Sequence, residues 1–375
     1  MENMFERFII IEQKSNSFYH VPSIVTAPDG SILAFCEQRW KSPCDDVGEC
    51  HIVMKKSLDH GRTWGELRAL RRQEGAKWHM GSAVTDSVTG NVLLMCGGEW
   101  LQSSDNGDTW TDWKPEWLHH SGGGIGSTHG SAPGIQLQYG KHKNRLVWPA
   151  RTVVSTSGYN DRSISDRREK CYSTVMYSDD HGQTLKHSNL FHKGTGEACL
   201  VERTNGDIYF NARAYYDDGM RRVALSQDGG DSFTEQPEDR IILEVLQGCN
   251  AGMVRYPEKY LDNIHHMKNR SNTPYDTPQS HLGNDVILFA NPDTDGPNRE
   301  HGVVRLSLDG GKNWAFYRAV TDYGEWFDYS AITVATDGTV LLMYKTTPGM
   351  TGLPDSADDC CSMALVRFDL DWLIQ

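Results

Sequence analysis

The chain has 375 residues, 38% of them hydrophobic, and 37 Lys and Arg against 50 Asp and Glu, for a formal net charge of −13. That acidity argues against nucleic acid or an anionic membrane surface as a partner, although a few cations focused in a cleft can still hold a small anion. No stretch is long enough to span a bilayer. The start, MENMFERFIIIEQ, is too short in its apolar run for a signal peptide, and with nine irregularly spaced Cys it predicts a reduced, cytoplasmic protein, or a secreted or periplasmic one if a leader has been removed.

In chain order, Tyr19 to Val25, an Asp29-Gly30 turn and Ser31 to Arg39 predict strand, tight turn, strand, with polar residues at the two outer ends. RWKSPCDDVGEC, residues 39–50, is a polar loop before the strand His51-Ile-Val-Met-Lys-Lys. SLDHGRTW at 57–64 is then the first of five related octapeptides. The others are SSDNGDTW at 103–110, SDDHGQTL at 178–185, SQDGGDSF at 226–233 and SLDGGKNW at 307–314. The Asp at the third position can accept bonds from backbone N–H groups a few residues on, and the Gly at the fifth supplies a positive φ. The closing aromatic, present in all but SDDHGQTL, tucks under the turn. Each copy follows a β-like run and therefore joins two strands of one sheet. Repetition at tens of residues, built on strands, predicts an all-β propeller of four-stranded antiparallel blades.

Residues 65–150 read as the second and third blades, with Met80 to Asp86 and Gly90 to Met95 as paired strands. The loop SGGGIGSTHG at 121–130 leads into Gly134-Ile-Gln-Leu and Arg145-Leu-Val-Trp-Pro-Ala-Arg151. His119, His120 and His129 match no metal-ligand spacing, and no metal is expected. The charged stretch 151–170 reads as a loop over one face. Gly196 to Glu202, an Asn205-Gly206 turn and Ile208 to Arg213 predict another hairpin, and residues 247–252 a turn segment. The polar stretch 258–284 is too long for a blade connection and reads as an excursion or a cover. Phe289 to Pro292, Arg299 to Ser307 and the hairpin Phe327 to Val334 with Thr339 to Lys345 follow, and Cys360 and Cys361 read as core filler on a hydrophobic strand.

These pieces resemble the sialidase (neuraminidase) family over nearly the whole chain. The octapeptide resembles its Asp box. Tyr19-His20-Val21-Pro22 resembles YRIP, Ala34-Phe35-Cys36-Glu37-Gln38-Arg39 resembles F-A-E-x-R, and Asn211-Ala212-Arg213 resembles N-x-R. The resemblance implies a six-bladed β-propeller, a single domain over 1–375, no cofactor and a retaining exo-glycosidase. Such an enzyme would release a terminal 2-keto-3-deoxy sugar acid from an oligosaccharide or glycoconjugate. It implies Asp46 as the general acid, with Asp45 the rival by one position. Tyr329 becomes the nucleophile with Glu197 as its base, Arg213 and Arg299 hold the substrate carboxylate, and Arg39 is a further substrate contact. Glu202 and Arg305 are structural. The chemistry is consistent: a substrate with a carboxylate on its anomeric carbon repels an anionic nucleophile, whereas a neutral phenol avoids like charge. A phenol titrates near pH 10, so it needs a partnered base.

Two departures stand out. The YRIP arginine is His20, which cannot form the bidentate carboxylate fork of Arg. The family's Tyr-Glu pair is Tyr344-Lys345, so that arginine's acidic partner is missing too. Lys345 is then either a third substrate-binding cation, with His20 as a further contact to the substrate carboxylate, or a solvated strand-end Lys. The altered cradle leaves Kdo and Kdn as open as sialic acid. Two other classes remain: a non-catalytic Asp-box lectin, and a polysaccharide lyase using His20 and Tyr329 as base and acid.

Overall fold

A computed structural model describes residues 4–374 except 44–47, 72–74, 76, 98, 118–131, 156–157, 161–162, 238, 262–284, 351 and 355–359. Asp45, Asp46, His119, His120, His129 and most of the 258–284 excursion therefore lie outside the described residues.

The strands form six antiparallel blades. After β1 (Phe5–Ile11), blade I comprises β2 (Ser17–Thr26), β3 (Ile32–Trp40), β4 (Cys50–Ser57) and β5 (Arg68–Ala69). Blade II comprises β6 (Met80–Asp86), β7 (Asn91–Cys96), β8 (Glu99–Ser103) and β9 (Thr111–Asp112). β10 (Glu116–Trp117) pairs in parallel with the outer edge of blade III, which runs β11 (Ile135–Gln136), β12 (Leu146–Val153), β13 (Cys171–Ser178) and β14 (Thr184–His187), with β15 (Phe191–Lys193) also on β13. Blade IV comprises β16 (Thr195–Glu202), β17 (Ile208–Ala214), β18 (Met220–Ser226) and β19 (Thr234–Glu235), with β20 (Asp239–Leu243) also on β18. Blade V comprises β21 (Gly252–Arg255), β22 (Ile287–Pro292), β23 (Gly302–Ser307) and β24 (Phe316–Ala319). Blade VI comprises β25 (Asp328–Val334), β26 (Val340–Thr346) and β27 (Ser362–Phe368), and its fourth strand is β1 from the start of the chain. The first strands β2, β6, β11, β16, β21 and β25 touch their neighbours in a closed ring. This is a six-bladed β-propeller, and no helix among the described residues is long and apolar enough to cross a membrane.

The core explains why the strand runs are apolar almost without alternation. It divides into six clusters, one between each pair of adjacent blades. On β3, Ile32 and Ala34 pack toward blade VI, whereas Leu33 and Phe35 pack toward blade II. A middle strand buried on both faces needs apolar residues at both parities.

All five octapeptides join the third and fourth strands of a blade, and their hydrogen bonds repeat. In the first, Ser57 Oγ donates to Asp59 Oδ1 at 2.8 Å, and Gly61 N donates to Ser57 Oγ at 2.9 Å. Thr63 N donates to Asp59 Oδ1 at 2.8 Å, and Trp64 Nε1 donates to Gly61 O at 3.1 Å. The Gly is required twice over. Gly107 has φ +86°, and a Cβ there would stand 2.9 Å from Leu33 on the preceding blade. In blades I to V the corner therefore docks the blade onto the preceding one as well as turning the chain.

Three readings need correction. The outer strand of blade I lies at 68–69 and blade III runs on to 187, so 65–150 is not two whole blades. Residues 151–170 are not all loop: 151–153 complete β12, and α1 (Ile164–Lys170) follows, capped by Ser163, whose side chain accepts from Asp166 N at 3.2 Å. Cys360 and Cys361 precede β27, and Cys361 Sγ lies 3.0 Å from His20 Nε2, a polar contact and not filler alone.

Candidate active site

The inner strands of four blades each carry a register break: His20/Ser23 in β2, Met80/Ala83 in β6, Thr195/Ala198 in β16 and Asp328/Ser330 in β25. A bulge re-aims a side chain that an ideal strand would point into a blade interface. Three of these breaks carry His20, Glu197 and Tyr329, and Tyr329 itself has φ +45°, a conformation an aromatic residue keeps only where its surroundings hold it.

Side chains from blades IV and VI meet here. The Tyr329 hydroxyl donates to Glu197 Oε1 at 2.8 Å. Arg213, from β17, donates to Glu197 Oε2 at 2.9 Å and to the Tyr329 hydroxyl at 3.2 Å. Arg299, on the loop before β23, donates to Asp328 Oδ1 at 2.6 Å, with its guanidinium 5.3 Å from the centre of the Tyr329 ring. Lys345 Nζ lies 2.5 Å from Asp328 Oδ2 and 3.4 Å from His20 Nδ1. Three cations, Arg213, Arg299 and Lys345, thus face two carboxylates, Glu197 and Asp328.

The ionisation follows from these contacts. Burial alone would raise the Glu197 carboxyl, but Arg213 and then Arg151 outweigh it and bring it down to about 2. Burial and the adjacent Glu197 charge hold the Tyr329 phenol well above its ordinary range, so the proton rests on the phenol. Burial opposes the charge on Lys345, but Asp328 more than compensates and raises it. His20 is pushed well below its ordinary value by burial and then by Lys345. It is neutral, its Nδ1 accepting from Lys345 and its Nε2–H directed at Cys361 Sγ. Arg39 belongs to a separate buried pair, donating from Nε and Nη2 to Glu37 Oε2 at 2.7 and 2.5 Å, and from Nη1 to Pro43 O at 2.6 Å.

A family model described as "BNR repeat-like domain" matches residues 21–312. The chain belongs to the BNR-repeat family. This BNR-repeat protein is 27% identical over 384 aligned residues to a sialidase of Micromonospora viridifaciens, covering 95% of this chain and 52% of that protein. It is 24% identical over 360 to a sialidase of Bacteroides fragilis strain YCH46, covering 88% and 60%. The chain thus spans a little over half the length of these curated relatives. Among solved structures, a Hadza microbial sialidase superposes with a TM-score of 0.71 at 21% identity, covering 95% of this chain and 66% of that one, a likeness of fold.

Of the residues singled out in the sequence, Glu197, Tyr329, Arg213, Arg299, Lys345 and His20 converge. Glu202 lies at the far end of β16, accepting from Gln138 N and Tyr139 N at 2.6 and 3.1 Å, and Arg305 bonds Asn291 and Asp293. Sequence reasoning missed the brace beneath the two arginines. Gln247 O accepts from Arg213 Nε at 3.0 Å and Gly248 O from Arg299 Nη2 at 3.2 Å. Cys249 Sγ accepts from Tyr329 N and contacts Asp328 Oδ1, each at 3.4 Å. A Cβ on Gly248 would stand 2.5 Å from Arg213 Cγ, so only Gly fits there. Glu244, paired with buried Arg221, holds the brace through Cys249 N at 2.9 Å. Arg151 was also missed. It donates to the Tyr215 hydroxyl at 2.7 Å and lends its field to Glu197. Its place in R-L-V-W-P-A-R was the available signal.

Proposed function

We propose that the protein is a retaining exo-glycosidase of the sialidase type, acting on a terminal 2-keto-3-deoxy sugar acid. The observation that carries this is the 2.8 Å contact of Tyr329 with Glu197 among three cations and two anions. A substrate carboxylate brings that local charge to balance.

In this reading Arg213 and Arg299 orient the carboxylate. The Tyr329 oxygen attacks the anomeric carbon as its proton passes to Glu197, and Asp46 protonates the departing glycosidic oxygen. Asp46 then takes a proton from water, which attacks the same carbon. The phenol leaves and recovers its proton from Glu197, so two displacements give net retention. Glu197 is a weak base in the resting state, so the proton moves with the attack and not before it. Arg39, held in its buried pair with Glu37, is the further substrate contact that the family pattern implies. Lys345 supplies the third cation, with neutral His20 as its support. Both ring nitrogens of His20 already have partners, which also weighs against the lyase reading.

The panel that tests this is the 4-methylumbelliferyl glycosides of sialic acid, Kdn and Kdo, with the anomer of the first-formed product read by NMR. Release of one sugar with retention is expected. No turnover of any member supports the lectin, and a UV-absorbing unsaturated product the lyase.

A further inference from the structure

Three donor side chains outside the proposed reaction converge beside Arg39, one of them its partner Glu37. Glu37 lies on β3, Cys50 opens β4 and His79 immediately precedes β6. One ligand atom from each lies within 4.8 Å of the other two. We infer that this trio binds a thiophilic divalent cation of the zinc class.

The geometry fits such an ion. Zinc takes nitrogen and oxygen ligands at about 2.1 Å and sulfur at about 2.3 Å. Two light donors on a tetrahedral ion at that radius stand about 3.4 Å apart. His79 Nδ1 is 3.4 Å from Glu37 Oε1. The two oxygens of Glu37 are also divided in use. Oε2 takes both bonds from Arg39, whereas Oε1 faces His79 and accepts from Met80 N at 2.8 Å. An ion on Oε1 therefore leaves the Arg39 pair in place. The third donor, the buried Cys50 thiol, donates to Trp78 O at 3.1 Å. On binding, the S–H bond breaks, its proton goes to solvent, and the thiolate lone pair goes to the metal.

Charge and access agree. A thiolate and a carboxylate together balance a dication, while Arg39 opposes it from the far oxygen. The His79 side chain is about 25% exposed and gives the ion a way in, with water as the fourth ligand. Thiolate with imidazole selects zinc-like ions over magnesium and calcium. The site bridges blades I and II, so an ion there staples two blades. The site does not depend on the glycosidase reading.

The test uses the whole chain, purified metal-free. One equivalent of Zn²⁺ should bind with release of a proton and raise the melting temperature, and Mg²⁺ should do neither. Co²⁺ should give a thiolate-to-metal charge-transfer band. Cys50→Ser should abolish the band, and His79→Gln should weaken Zn²⁺ binding at least about tenfold. His79 is partly exposed, so His79→Gln carries the test if Cys50→Ser fails to fold. No Zn²⁺ uptake by the parent, or uptake and a Co²⁺ band unchanged in His79→Gln, would overturn the site.

Discussion

Asp328 and Lys345 face each other across β25 and β26, with Nζ 2.5 Å from Oδ2, while the other oxygen of the same carboxylate receives Arg299 at 2.6 Å. One acid thus positions two cations, one of which stands where the sialidase pattern has a glutamate. The charge reversal at 345 keeps a cation at this edge of the site despite the loss of the arginine at 20. Lys345→Met leaves Asp328 with Arg299 alone. Breaking a buried pair costs about 3–5 kcal/mol, so the melting temperature should fall. Affinity for an unsaturated sugar-acid analogue should fall at least about tenfold, by the loss of one charge-assisted bond. Calorimetry that finds the affinity unchanged removes Lys345 from the cradle.

Tyr329→Phe and Glu197→Gln should each lower kcat by about 10²–10⁴-fold, the scale of a lost proton-transfer partner. A fluorinated sugar acid that slows the second displacement should leave its mass on the peptide containing Tyr329. Glu197 also links stability to pH. Its folded pKa of about 2 lies below the ordinary 4.5, so its contribution is present above pH 4.5 and is lost as pH falls toward 2. Glu197→Gln should flatten the acid limb of the stability profile in that window.

Asp46→Ala should cut turnover of a natural glycoside by about 10²–10⁴-fold. The loss should be far smaller for an aryl glycoside, whose leaving group needs no proton. Asp45→Ala should behave like the parent. The reverse pattern in paired aryl and alkyl substrates would transfer the acid to Asp45.

Gly107→Ala should destabilise by about 2–4 kcal/mol, combining a strained positive φ with overpacking against Leu33. Gly90, at φ +78° with nothing within 4 Å of an added Cβ, provides the control. Gly90→Ala should cost only about 1 kcal/mol. Urea denaturation of both variants measures the difference, and equal losses would mean that docking onto the neighbouring blade contributes little.

His20 should remain neutral, with its proton on Nε2, throughout pH 6–8. Its folded pKa lies below the ordinary 6.5, so protonation of the unfolded chain favours unfolding as pH falls beneath that value. Nitrogen NMR of the ring reads the tautomer directly. A titration near pH 6.5 would show that Lys345 does not sit against Nδ1.

The sequence by itself determined the blade architecture and named most of the residues that converge around Tyr329. Its signals there are local: Asp-box corners close within eight residues, and strand runs declare themselves by composition. Glu197, Tyr329, Arg213 and Arg299 could be named because each stands in a recognisable stretch. What only the tertiary structure decided is which groups share an environment. His20 is neutral because the closed ring buries it and because Lys345, 325 residues away, donates to it. The turn at 247–249 is a brace because two arginines from other segments converge on its carbonyls, and Cys50 meets His79 because blades I and II abut. Charge state and ligation depend on distance through space, and that distance exists only once the ring of blades has closed.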